Sequence, residues 1–165
     1  MNVNQELKSK YPWGDREWTE RTRAVARLIP RGVSVLDLGG GMGNLDRYLE
    51  SCEYLSLDRE LWTDKTIKAD FNAGEFPEVG TFQYVVAQGV IEYMADPLAF
   101  LGSIMQYGRI LILTYRAGNS DAAMQHGRAI SLPVKQLAQL VERAGWTIEF
   151  SRKLTKLDTI FYCTK

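Results

Sequence analysis

The residues that could do chemistry gather in VSVLDLGGGMGNLDRYL, Val33 to Leu49, where an apolar run reaches Asp37 and then a cluster of glycines. Glycines between a strand and a helix let a ligand come close to the backbone, and the usual ligand there is a phosphate. Asp37 argues against phosphate. A carboxylate at the end of the strand, pointing into the cleft, would repel a pyrophosphate and attract a cation. A P-loop also needs Gly-Lys-Ser/Thr, and no lysine follows G-G-G-M-G-N. A dinucleotide site needs G-x-G-x-x-G, whereas Gly39, Gly41 and Gly43 give G-x-G-x-G, with Asn44 where the third glycine would fall. A ligand carrying an ammonium and a sulfonium, with an amino-acid carboxylate for the backbone N–H groups, suits both halves of the loop.

Further motifs follow in order: YLSLDRE with Asp58 and Arg59, IKADFNAG with Asp70 and Phe71, and VVAQGVIEYMADP with Gln88, Gly89, Glu92 and Tyr93. VLDLGGGMG resembles the first motif of the class I S-adenosylmethionine-dependent methyltransferases, acidic-x-Gly-x-Gly-x-Gly, and matches it at Asp37, Gly39, Gly41 and Gly43. RILILTY resembles the fifth strand of that family, and RAGWTIEF to FYCTK its closing antiparallel pair, so the resemblance runs from Arg16 to the end. It is similar to the small bacterial members. The resemblance implies S-adenosyl-L-methionine as cofactor, held by Asp37 and the loop of Gly39, Gly40, Gly41 and Gly43. It implies that Asp58, next to Arg59, receives the two ribose hydroxyls, since a carboxylate can accept from both together. Asp70 would meet the adenine amino group, Phe71 would bound the ring, and Gln88 and Gly89 would lie near the cofactor. Amino-group methylases of nucleobases carry Asn/Asp-Pro-Pro-aromatic after the fourth strand; Q-G-V-I here argues against that chemistry.

The implied reaction is in-line methyl transfer to an unidentified oxygen or nitrogen acceptor. The leaving group is already activated, so the protein mainly positions the nucleophile and excludes water, and no catalytic triad or metal cluster is required. His126, the one histidine, lies in AGNSDAAMQHGRAIS after the fifth strand, where an imidazole could deprotonate an acceptor or simply be an exposed loop residue. Tyr11, Trp13 and Arg116 are candidate acceptor contacts, although the aromatics of KYPWGDREW also read as a packing anchor. Glu92 and Tyr93 either line the acceptor site or pack the next helix. The alternative from another class is a non-catalytic S-adenosylmethionine-binding module, a sensor or assembly subunit. A nicotinamide-dependent oxidoreductase is disfavoured by Asp37 and by the glycine spacing.

The elements that must position these residues are short strands alternating with helices. Val33–Leu38, Tyr54–Leu57, Thr66–Ala69, Phe82–Ala87 and Arg109–Tyr115 read as strands, and Asn44–Ser51, Pro97–Gln106 and Pro133–Ala144 as helices. An amphipathic helix, Arg16 to Leu28, precedes them, with Trp18, Val25, Leu28 and Ile29 facing the sheet. Trp146–Phe150 and Thr159–Cys163 read as a terminal antiparallel pair. The fold class is therefore α/β: a Rossmann-like doubly wound sheet, mostly parallel with an antiparallel C-terminal strand, and helices on both faces. The 165 residues suit a single domain, 1–165, whose N-terminal helical segment, 1–30, covers the cleft or the sheet.

Lys+Arg and Asp+Glu number 20 each, a zero balance that removes the broad attraction most nucleic-acid binders show. A small-molecule, glycan or carrier-bound acceptor is favoured instead, with a homodimer left open as a way to close the cleft. No apolar run is long enough to span a bilayer, and the N-terminus lacks a signal-peptide core, so a cytoplasmic location is expected. Cys52 and Cys163 read as buried free thiols.

Overall fold

A computed structural model describes residues 16–118 and 127–165. The chain opens with α1 (Arg16–Ala26) and continues through β1 (Ser34–Leu38), β2 (Glu53–Asp58), β3 (Thr66–Lys68) and β4 (Phe82–Gln88). It then forms α2 (Pro97–Ser103), β5 (Gly108–Arg116), α3 (Val134–Arg143), β6 (Thr147–Lys153) and β7 (Asp158–Thr164). The strands make one seven-stranded sheet in the order β3-β2-β1-β4-β5-β7-β6. β1 pairs in parallel with both β2 and β4, while β7 runs antiparallel to β5 and β6. The order reverses between β1 and β4, which places a crevice at their carboxyl ends, where open α/β sheets take their ligands.

Alternation along the strands sorts the core into two layers. Leu36, Leu38, Val85, Ala87, Leu111 and Leu113 face α2 and α3, packing on Phe100, Leu101, Leu137, Val141 and Trp146. Val35, Tyr54, Tyr84, Val86, Ile112 and Ile160 face the other way, against Val25, Ile29 and Leu45. The helix starts follow local chemistry. Asp96 caps α2 by accepting from the Ala99 amide, with proline in the first turn, where its missing N–H costs nothing.

The expected helix Asn44–Ser51 does not form. Only a 3-10 turn, Asp46–Tyr48, is present, without a side-chain cap. Leu45 is buried and Leu49 partly so, but Tyr48 is exposed, and this partial apolar face does not offset the cost of nucleating a helix. The amphipathic helix ends at Ala26, with Val25 and Ile29 buried as expected and Leu28 only partly so. Both cysteines are free thiols, but Cys52 is only partly buried, because it precedes β2 at the rim of the sheet; Cys163 is buried. No helix among the described residues is long and apolar enough to cross a membrane.

Candidate functional site

The loop after β1 is shaped by glycines at the positions that matter. Gly39, Gly41 and Gly43 have φ of 68°, 52° and 68°, in the left-handed region that other residues enter only with strain. The Gly39 amide donates to the Leu57 carbonyl at 2.7 Å, binding the start of the loop to β2. A Cβ on Gly39 would run into the Val90 side chain, and one on Gly40 would lie 2.6 Å from Ser56 Oγ and 2.9 Å from Tyr54 Oη. Around Gly41 a Cβ would meet nothing within 4 Å among the described residues, which leaves the backbone open to an approaching molecule there.

Asp37 is placed differently from the sequence expectation. Its carboxylate does not open into the cleft but is buried beneath the loop, where Oδ2 accepts from the Tyr54 hydroxyl at 2.8 Å. The register explains this: Asp37 lies beside Ser56 on β2, on the sheet face that also carries Val35 and Tyr54. Burial raises its carboxyl, the Tyr54 hydrogen bond lowers it and the charge of Asp58 raises it, which together push it up to about 7.

Asp58 sits at the tip of β2 and already holds the loop. Its Oδ2 accepts from the Gly41 amide at 2.9 Å, and its Oδ1 from the Glu60 amide at 3.0 Å and the Trp62 indole at 3.1 Å. Arg59 beside it is exposed. Asp70 follows β3 and caps a 3-10 turn, Phe71–Ala73, by accepting from the Asn72 amide. Phe71 packs against Phe76 and Phe100, with centroids 5.5 and 5.4 Å away. The Asn72 side chain then ties this turn to the one after β4, donating to the Tyr93 carbonyl and accepting from the Ala95 amide. Asp70, Phe71 and Tyr93 are thereby held on neighbouring turns.

At the end of β4, Gln88 has a buried Oε1 with no partner among the described residues, and Gly89, at φ 61°, donates to Thr114. Glu92 does not line an open site. It is buried, and its Oε1 accepts from the Arg116 amide at 2.7 Å while its carbonyl accepts from the amides of Ala129 and Ile130. Burial raises its carboxyl, which hydrogen bonds from the Arg116 and Glu92 backbone and the guanidiniums of Arg21 and Arg128 draw back down. Arg116 joins the same charge network: its guanidinium lies 3.6 Å from Asp158, which Arg21 approaches from α1 at 3.5 Å. Tyr11, Trp13 and His126 lie outside the described residues.

Tyr54, Ser56, Trp62, Asn72, Arg21 and Asp158 were not singled out in the sequence. For the first two a signal existed. The period-2 pattern of YLSLD puts Tyr54 and Ser56 on one face with Asp58, and parallel pairing then places them beside Asp37.

A family model described as a methyltransferase domain matches residues 12–149. No curated protein matches the chain significantly. Among solved structures, a TehB-like S-adenosylmethionine-dependent methyltransferase from Corynebacterium glutamicum is 18% identical with a TM-score of 0.71, the match covering 99% of this chain and 96% of that one. The 1,6-didemethyltoxoflavin-N1-methyltransferase of Burkholderia thailandensis, with its substrate and S-adenosylhomocysteine bound, is 16% identical with a TM-score of 0.73, covering 99% and 87%. The magnesium protoporphyrin IX methyltransferase of Synechocystis PCC 6803, with S-adenosylhomocysteine bound, is 13% identical with a TM-score of 0.71, covering 99% and 95%. At these identities the likeness is one of fold. With the family model spanning most of its length, the chain belongs to the methyltransferase-domain family.

Proposed function

We propose that the protein transfers a methyl group from S-adenosyl-L-methionine to an oxygen or nitrogen acceptor. The observation that carries this reading is the glycine loop at the switch point, open at Gly41 and bonded through the Gly41 amide to Asp58. The residues present fit the cofactor. Open backbone at Gly41 suits its amino-acid end, and the carboxylates of Asp37 and Asp58 favour a cation above the loop. Asp58 is the group for the ribose hydroxyls, and Asp70 and Phe71 for the adenine. The unpartnered Gln88 Oε1 is an acceptor that a bound molecule would satisfy.

When bound, the cofactor supplies an activated methyl group on sulfur. The chain's part is to orient it and to hold the acceptor in line. Tyr93, next to the turn that carries Asp70, is our candidate for the acceptor wall, and His126, the chain's one histidine, is the candidate for taking up an acceptor proton. Calorimetric titration with S-adenosylmethionine and S-adenosylhomocysteine tests the reading directly. A folded sample that binds neither overturns it. Tight binding without methyl transfer to any acceptor in a cell extract supplied with labelled cofactor would leave a binding module instead.

A further inference from the structure

A buried polar pocket lies directly beneath the loop. Asp37 Oδ2 is held by the Tyr54 hydroxyl, while Asp37 Oδ1 is buried without a partner among the described residues, and Ser56 Oγ is buried beside the same hydroxyl. Gly40 is the lid of this pocket: a Cβ there would lie 2.6 Å from Ser56 Oγ, 2.9 Å from Tyr54 Oη and 3.0 Å from Asp37 Oδ2. Only the thickness of a glycine backbone separates these groups from the loop's outer surface.

Among the described residues, the groups facing Asp37 come from β2 and β4. β2 contributes Tyr54, Ser56 and Asp58, and β4 contributes apolar Val86 at the paired position. Lys65 lies over the Tyr54 ring at 5.8 Å but is paired with Asp46 at 2.7 Å, next to the Asp46–Tyr48 turn. Burial and Asp58 therefore oppose the ionised form of Asp37, and the Tyr54 hydroxyl supports it. A cation on the outer surface of the loop would add the missing support.

We propose that seating S-adenosylmethionine on this loop expels the proton of Asp37, and that Tyr54 and Ser56 are positioning residues that hold the resulting carboxylate. The inference rests on the cofactor reading above. The acid O–H bond breaks, the proton passes to solvent, and no electrons are exchanged. The methyl donor carries an ammonium and a sulfonium against one carboxylate, so it favours ionised Asp37. The demethylated product has lost the sulfonium charge and favours it less. Methyl transfer thus removes support for the carboxylate, and Asp37 takes its proton back as the product leaves.

The test is calorimetric titration of the full chain at pH 7 in buffers of differing ionisation enthalpy, with both ligands, on the wild type, Asp37→Asn and Tyr54→Phe. The α-amino group of the ligand titrates in its own right near pH 8, so the difference between wild type and Asp37→Asn isolates the residue. With a free carboxyl at about 7, the wild type should release about half a proton more than Asp37→Asn on binding S-adenosylmethionine, and less on binding S-adenosylhomocysteine. Tyr54→Phe, which loses the hydroxyl that supports the carboxylate with and without ligand, should show the release displaced to higher pH. A second readout needs no variant: the wild-type preference for donor over product should rise several-fold between pH 6 and about pH 7.5. Normal binding with equal proton release in wild type and Asp37→Asn, or a preference that does not rise, overturns the proposal and leaves the cofactor reading intact. Failure to bind either ligand overturns the cofactor reading itself.

Discussion

The Gly41 amide donates to the Asp58 carboxylate at 2.9 Å, so the loop after β1 and the tip of β2 form one hydrogen-bonded unit before any cofactor arrives. Asp58 holds the loop, and in the proposed reading the same carboxylate receives the ribose hydroxyls. Replacing it with alanine should weaken S-adenosylmethionine binding by about 1.5–3 kcal/mol, the scale of hydrogen bonds to a charged group. Titration calorimetry measures this. Unchanged affinity in Asp58→Ala would remove Asp58 from the site.

Trp62 donates its indole N–H to the same carboxylate at 3.1 Å and is itself largely buried. Ribose hydroxyls that compete for Asp58 must change the surroundings of that indole. Cofactor binding should therefore shift tryptophan emission, and Trp62→Phe should lose most of the shift while still binding. A signal that persists in Trp62→Phe would assign it to another tryptophan and argue against displacement at Asp58.

Two glycines of the loop should fail in different ways. Gly39→Ala meets both a positive φ and the Val90 side chain, so backbone strain of about 1–3 kcal/mol joins overpacking of about 1–3 kcal/mol. Gly41→Ala has open space around the new methyl and carries only the strain of its φ of 52°, but the methyl stands where a ligand would approach. Urea unfolding should show the larger stability loss for Gly39→Ala. Calorimetry should show that Gly41→Ala loses affinity out of proportion to its stability. The reverse ordering would mean that the loop opens on the Gly39 side.

The parts of this molecule that were legible in sequence are those set by local pattern. The strands, the helix beginning at Pro97 and the glycine spacing each depend on neighbours within a few residues, and each appears where expected. The direction of the Asp37 side chain was not legible, because it depends on which face of β1 meets Tyr54 and Ser56, a matter of strand pairing across the chain. Glu92 shows the same limit. Its place next to a fourth strand suggested an acceptor contact, but Arg21, Arg116 and Asp158 come from distant segments and enclose it in a charge network. The missing helix after the glycine loop has another cause. Its apolar residues had helical spacing, but the fold fully buries Leu45, half-buries Leu49 and leaves Tyr48 exposed.

Asp158 lies between Arg21 and Arg116 at 3.5 and 3.6 Å, and its side chain is 1% exposed. Removing a buried carboxylate from such a pair leaves uncompensated positive charge in a poor solvent for it. Asp158→Ala should therefore lower stability by about 3–5 kcal/mol. The loss should be partly recovered by adding Arg21→Met, which removes the charge left behind. Urea unfolding of the single and double variants decides it. Additive losses would show that the arginine and the aspartate do not act on one another.

The buried Asp37 carboxyl makes a further claim on stability that depends on pH. In an unfolded chain an aspartate titrates at about 3.9, and in the ligand-free fold Asp37 titrates at about 7, so the native state holds the extra proton between those values. Stability must fall with rising pH across that interval, by at most about 1.4 kcal/mol per pH unit for one group, and level off above it. Glu92, raised by burial as well, acts in the same direction but is present in wild type and variant alike. The informative quantity is therefore the stability of Asp37→Asn minus that of the wild type. The amide brings its own fixed cost, which does not vary with pH, so the difference should climb from pH 5 to pH 7 and flatten by pH 8. Saturating S-adenosylmethionine should reduce the climb, since the bound cation favours the ionised carboxylate. Parallel curves for the two proteins in the absence of ligand would mean that Asp37 is already ionised beneath Gly40, and that Tyr54 is enough to keep it so.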